Sequence, residues 1–195
     1  MLFRSITVDE DGAVTLTSHR VEMGQGIRRT LTAVLADELG TDLTRIRIAQ
    51  ANADEARYGN QNTDGSRSMR DFLLPMRQMA AAVRSMLAAA AAAEWQVPLE
   101  EVVPGIDEVT HPASGRRARF GELTQRAATL PVPPVETLTL KPFDELRYVG
   151  RQVPSVDLPS LTDGSARYAG DESAPGTLVA VMRRPPDYGG TVARI

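Results

Sequence analysis

The chain has 195 residues, 42% of them hydrophobic and 24% charged, and a formal net charge of −3. That composition supports a core for one ordinary domain, or one domain and part of another, and excludes wholesale disorder. Without a basic excess it offers no phosphate-neutralising face, so no nucleic-acid partner is expected, and without cysteine it can form no disulfide, thiolate zinc site or iron–sulfur cluster of its own.

Two alternating stretches, "RSITVD" and "AVTLTSHRV", flank the "EDG" that favours a tight hairpin turn. The second runs into "VEMGQG", where Gly24 and Gly26 surround Gln25. From Ile27, apolar residues recur at Leu31, Val34, Leu35 and Leu39, the stripe of a helix, and Gly40 stands where a left-handed cap belongs. Arg45 to Gln50 alternates again, which predicts strand, helix and strand in succession. The polar segment "ANADEARYGNQNTDGSRSMRD" follows, long for a loop in a folded domain, and a helix is expected from roughly Asp71 to Glu94, with Pro75 tolerated in its first turn. Its alanine run, Met86 to Trp95, is too short to span a membrane and reads as a packed helix. Beyond it, "VPLEEVV" is a short helix or strand entry, "EVTHPASGRRARF" a hairpin around Ser114 and Gly115, and "GELTQRAATL" a small helix.

The prolines of "PVPPVETLTLKP" favour extended backbone and mark a linker. After it comes a unit of different style, in which short strands such as "TLVAVMRR" alternate with Gly and Pro. No repeat at a fixed period is present. The opening "MLFRSITVDEDG" has no charged leader before an apolar run, so no signal peptide is expected.

Chemistry concentrates at two corners. Each combines glycine, which lets backbone come close to a ligand, with a following helix whose first N–H groups are unpaired and carry partial positive charge. Gln25 offers an amide that donates and accepts; Thr63, Ser66 and Ser68 offer hydroxyls around Gly65. Together they suit a polar, phosphate-bearing heterocycle. A tight turn at Gly24 and Gly26, with Ser and Thr capping the next helix, explains the same residues structurally. A Walker site is excluded because no "GK[ST]" follows, and "GQGIRR" lacks the third glycine of a dinucleotide fingerprint. His19 and His111 are too far apart in sequence to suggest a histidine metal site or a Ser/His hydrolase, and no residue is assigned to a metal.

"EMGQGIRRTLTAVLADELG", a strand, and then "YGNQNTDGSRSMRD" resemble the molybdopterin-binding part of the xanthine dehydrogenase and aldehyde oxidase family, most of all the branch that holds the isoquinoline 1-oxidoreductase beta chains. The tail, with Asp157, Pro159, Gly164, Ala166, Tyr168 and Asp171, is similar to the opening of that family's α/β hammerhead domain. The resemblance implies an α/β (α+β) fold, a mixed sheet with packed helices, with the cofactor-binding domain over 1–130, a Pro-rich linker over 131–146 and an incomplete hammerhead start over 147–195. It implies that Gly24, Gln25, Gly26, Thr63, Gly65, Ser66 and Ser68 approach molybdopterin, commonly a cytosine dinucleotide in bacteria. Partners implied are the remainder of a large subunit, a separate [2Fe-2S] subunit and a small-molecule substrate, an N-heterocycle or an aldehyde oxidised with water. The compartment implied is bacterial, cytoplasmic or periplasmic. The family's catalytic glutamate matches no residue here, so no catalytic residue is assigned and the chain alone is expected to be inactive. The alternative is a split or truncated noncatalytic structural or assembly piece.

Asp64 departs from the small residue that relatives carry, and a carboxylate facing a pyrophosphate must point away or hold a cation. Glu22 is expected to help hold the glycine turn and Glu38, at the edge of the helical stripe, to be solvated. Arg116, Arg117 and Arg119 read as a solvated face, Met69, Met76, Met79 and Met86 as core filling, and Trp95 as an anchor at a helix end.

Overall fold

Asp9, Asp11 and Gly12 reverse the chain at its first hairpin. Asp11 Oδ1 accepts from Ala13 N at 2.8 Å, and Gly12 takes the positive φ of 78° that the turn needs. The computed structural model describes residues 5–191 and 194. Arg4, which opens the expected first strand, and Val192, Ala193 and Ile195, at the end of the expected hammerhead start, lie outside the described residues. The hairpin joins β1 (Ile6–Val8) to β2 (Val14–Ser18), antiparallel, with Ile6 opposite Leu16. In β2 the side chains of Val14, Leu16 and Ser18 point inward and Thr15 and Thr17 are partly exposed, the alternation of a half-buried strand.

From β2 the chain crosses through α1 (Ile27–Leu39) to β3 (Ile46–Gln50), which lies parallel to β2 with Val14 opposite Ile46. The sheet order is β1-β2-β3. Gly40 caps α1 in the left-handed conformation, its N–H bonding Ala36 O at 3.0 Å. Two one-turn helices, α2 (Glu55–Tyr58) and α3 (Arg67–Arg70), interrupt the long polar segment. Then α4 (Leu73–Trp95) begins slightly later than the sequence predicts and holds Pro75 in its first turn, where a missing N–H costs nothing.

In α4 the alanines at 80, 81 and 82 and, within the alanine run, those at 88, 90, 91 and 92 are buried, and the helix packs with α1 and with α5 (Phe120–Ala127). Met76 and Met79 fill this core, and Met69 and Met86 lie at its edge, as expected. A second sheet, β4 (Val103–Pro104), β5 (Glu108–His111) and β6 (Arg116–Arg119), is antiparallel, with the predicted turn through Ser114 and Gly115. Arg116, Arg117 and Arg119 are exposed, and Trp95 leans toward the His111 ring at 6.4 Å between centroids. The architecture is a mixed α/β class with two small sheets. No helix among the described residues is long and apolar enough to cross a membrane.

Glu38 corrects the sequence reading. It is 0% exposed, with Oε2 on Arg77 Nε and Oε1 on Arg84 Nη1, both at 2.9 Å, and Oε1 also accepts from Lys141 N at 2.9 Å. Position on a helical wheel could not reveal this, because the two arginines come from α4 and the amide from a segment about a hundred residues away. Beside it Asp37, also buried, accepts from the backbone N–H groups of Arg147, Tyr148 and Val149 at 2.8–3.0 Å. These carboxylates fasten residues 141–149 to the end of α1, and the Pro-rich segment contains only single 3₁₀ turns at Val135–Thr137 and Phe143–Glu145.

One compact unit ends at Val156 and a second begins at Asp157. Among its described residues the second has one α-helix, α6 (Leu158–Asp163), closed by Gly164 in the left-handed conformation. The strand predicted at "TLVAVMRR" does not form among the described residues. Leu178 and Val179 are each 91% exposed, with no neighbouring strand to complete their backbone hydrogen bonds.

Candidate cofactor-binding cleft

Past the end of β2 at Ser18, His19 and Arg20 are both buried, Arg20 at 0% exposed. Its guanidinium reaches across to the long polar segment: Nε donates to Ser68 Oγ at 3.0 Å, Nη1 to Asn60 O at 2.7 Å, and Nη2 to Asn62 O. It also lies 4.7 Å from the centroid of the Phe72 ring, against which His19 packs edge-on. Burial pulls the Arg20 pKa below its ordinary value, and Asp64 and Asp71 oppose that pull. Burial likewise lowers the His19 pKa to about 4, with the Arg20 charge adding to it. The Val21 amide completes the tie by donating to Thr63 Oγ1 at 3.1 Å.

Next to Arg20 the glycine corner closes on itself. Glu22 Oε1 accepts from Gly24 N at 2.8 Å and Gly26 N at 2.9 Å, while Oε2 accepts from Arg28 N at 3.1 Å. Burial raises the Glu22 pKa, but these amides and the Arg28 charge outweigh it and hold the carboxyl below its ordinary value. The carboxylate therefore occupies the start of α1, where the sequence suggested an external anion. Gln25 folds back too, its Oε1 accepting from Met23 N at 2.6 Å and its Nε2 donating to Val21 O at 2.8 Å. Gly24 and Gly26 adopt φ of 97° and 82°, as this turn requires.

The second corner turns through Gly65, at φ 49°, and Ser66, at φ 57°. A non-glycine residue there is uncommon, and Ser66 makes no capping hydrogen bond to α3. Between the corners lies a cleft of about 400 Å³, within the range of small-molecule sites. Gln25, Thr63, Gly65, Ser66 and Ser68 all line it, together with Asp64 and the apolar surfaces of Met23, Ile27 and Met69. Asp64 Oδ1 lies 4.0 Å from Arg67 Nε, so its charge has a cation beside it. Gly24 and Gly26 contribute by shaping the turn, their amides being engaged by Glu22. The two corners that looked alike in sequence thus differ: the first is internally satisfied, and the second presents hydroxyls. The sequence alone did not single out Arg20, because its hydrogen-bond partners lie 40 to 48 residues further along the chain.

The family model for the molybdopterin cofactor-binding domain matches residues 4–152. The beta chain of isoquinoline 1-oxidoreductase from Brevundimonas diminuta is 29% identical over 97% of this chain and 29% of its own length. The B chain of nicotinate dehydrogenase from Pseudomonas putida is 31% identical over 94% of this chain and 15% of its own. The chain thus spans less than a third of either relative. The solved CO dehydrogenase from Oligotropha carboxidovorans superposes with a TM-score of 0.52 at 25% identity, over 60% of this chain and 15% of that one. Since the family match runs through both corners of the cleft and every helix packed around them, this chain belongs to the molybdopterin cofactor-binding domain family.

Proposed function

We propose that the cleft between residues 21–26 and 63–68 holds molybdopterin in its cytosine dinucleotide form, and that the chain serves this role in the large subunit of a molybdenum hydroxylase. The observation that supports this reading is the single concavity shared by Gln25, Thr63, Gly65, Ser66 and Ser68. Hydroxyls and a glycine backbone suit the acceptor oxygens of a pyrophosphate, and Met23, Ile27 and Met69 supply apolar surface for a flat heterocycle. When bound, the group would supply the redox chemistry for oxidising an N-heterocycle or an aldehyde with water as the oxygen source. This chain's residues would bind and orient it. The remainder of the large subunit and a separate [2Fe-2S] subunit are the proposed partners, and residues 147–195 the proposed start of a hammerhead domain.

The test is to purify the chain from a molybdenum-replete bacterial host, oxidise it and measure fluorescent pterin, then release cytidine monophosphate by acid. Equimolar pterin and nucleotide are expected, both falling severalfold in Ser66→Ala and Gln25→Ala. A folded chain carrying neither overturns the reading.

A further inference from the structure

Two hydroxyls enter the cleft already engaged through their oxygens. Arg20 Nε donates to Ser68 Oγ, and Val21 N donates to Thr63 Oγ1. A hydroxyl has one proton to give and two lone pairs. Among the described residues neither of these protons is donated, so each remains available to a guest. Ser68 is 7% exposed, and its partner Arg20 is wholly buried. The arginine has three separate grips on the 60–68 loop and a fourth on the Phe72 ring. Its charge therefore sits one hydroxyl away from the cleft, where exclusion of water leaves it poorly screened.

We propose that Arg20 is the positioning residue of this cleft: by engaging the acceptor side of Ser68 and anchoring the Asn60 and Asn62 carbonyls, it makes the Ser68 hydroxyl a proton donor to an anionic oxygen of a bound diphosphate. This rests on the cofactor reading above for the identity of the guest, and on the hydrogen bonds alone for the hold on the loop. Lysine cannot substitute, because one ammonium cannot reproduce a planar fork directed at three acceptors.

Cytidine diphosphate, titrated into the full chain and followed by nuclear magnetic resonance, is the probe. In the wild type the Arg20 Nε–H resonance should shift on addition, and in Ser68→Ala it should not. Binding should weaken at least about tenfold in Ser68→Ala and in Arg20→Met, with the double variant no weaker than Arg20→Met and Arg20→Lys giving no rescue. Amide exchange of residues 60–68 should quicken at least about tenfold in Arg20→Met at unchanged global stability. An unmoved Nε–H resonance in a wild type that binds, losses that add in the double variant, or unchanged loop exchange would each overturn the proposal. Absence of cytidine diphosphate binding by the wild type would instead defeat the cofactor reading, and the exchange data would then judge the hold of Arg20 on the loop separately.

Discussion

The Glu22 carboxylate caps the helix that begins beyond Gly26, accepting from the Gly26 amide at 2.9 Å with one oxygen and from the Arg28 amide with the other. A side chain four residues ahead of the cap residue thus does the work that a Ser or Asp at the cap position usually does, because Gly26 has no side chain to offer. Replacing Glu22 by Ala should cost about 1 kcal/mol of stability in urea denaturation, and Gln should recover part of it. The carboxyl titrates below its ordinary 4.5 in the folded chain, so its contribution is complete above that value and fades as pH falls through the folded pKa. Equal stabilities of wild type and Glu22→Ala at pH 7 would contradict the capping role.

Glu38 makes a larger prediction. Its carboxylate is enclosed between Arg77 and Arg84 and receives the Lys141 amide. Replacing it by Gln keeps the shape but leaves two guanidinium groups without their anion in a water-poor site, a change on the order of 3 to 5 kcal/mol. The 141–149 segment should also become sensitive to limited proteolysis, because its attachment to α1 passes through this carboxylate and that of Asp37. A variant as stable as wild type and equally resistant to protease would refute the account.

What was legible in the sequence follows from where each signal originates. The helical stripe from Ile27 to Leu39 and the alternation from Ile46 to Gln50 are local, and both elements formed where they were predicted. Glu22 was also readable, since its partners lie within six residues. Glu38 and Arg20 were not, because their partners lie 39 to 103 and 40 to 48 residues away. "TLVAVMRR" failed for a related reason: its strand propensity is local, but a strand needs a neighbour that local pattern cannot supply. Of the cleft, the hydroxyl corner and Gln25 could be named from the sequence. That the α1 amides were already occupied could not.

Gly121 tests the packing of α5 against the first hairpin. A Cβ there would stand 2.1 Å from Glu10 O and 2.7 Å from Gly12 N, contacts with backbone that cannot swing aside. Gly121→Ala should therefore destabilise by about 1 to 3 kcal/mol or more. Gly24→Ala provides the contrast, since nothing lies within 4 Å of its Cβ and only the φ of 97° is strained. Thermal melts should rank wild type above Gly24→Ala above Gly121→Ala, and a reversed order of the two variants would refute the steric argument.

His19 sets an acid limit. Burial against the Phe72 ring, reinforced by the Arg20 charge, lowers its pKa from 6.5 to about 4, so the folded state favours the neutral ring. Its Nε2 is buried without a hydrogen-bond partner, and a proton placed there would have no acceptor. Between pH 6.5 and 4 the unfolded chain binds more protons at this position than the folded one, and stability falls as pH falls. The loss should total on the order of 3 kcal/mol across that window, with no contribution from this group above it. Asp64 and Asp71 act on the neighbouring Arg20, so the comparison is made against a variant that keeps both. His19→Phe keeps an aromatic ring beside Phe72 and removes the titration. The wild type should lose stability relative to that variant from pH 6.5 downward, measured by urea denaturation at half-unit steps. Parallel curves would show that His19 does not control the acid response.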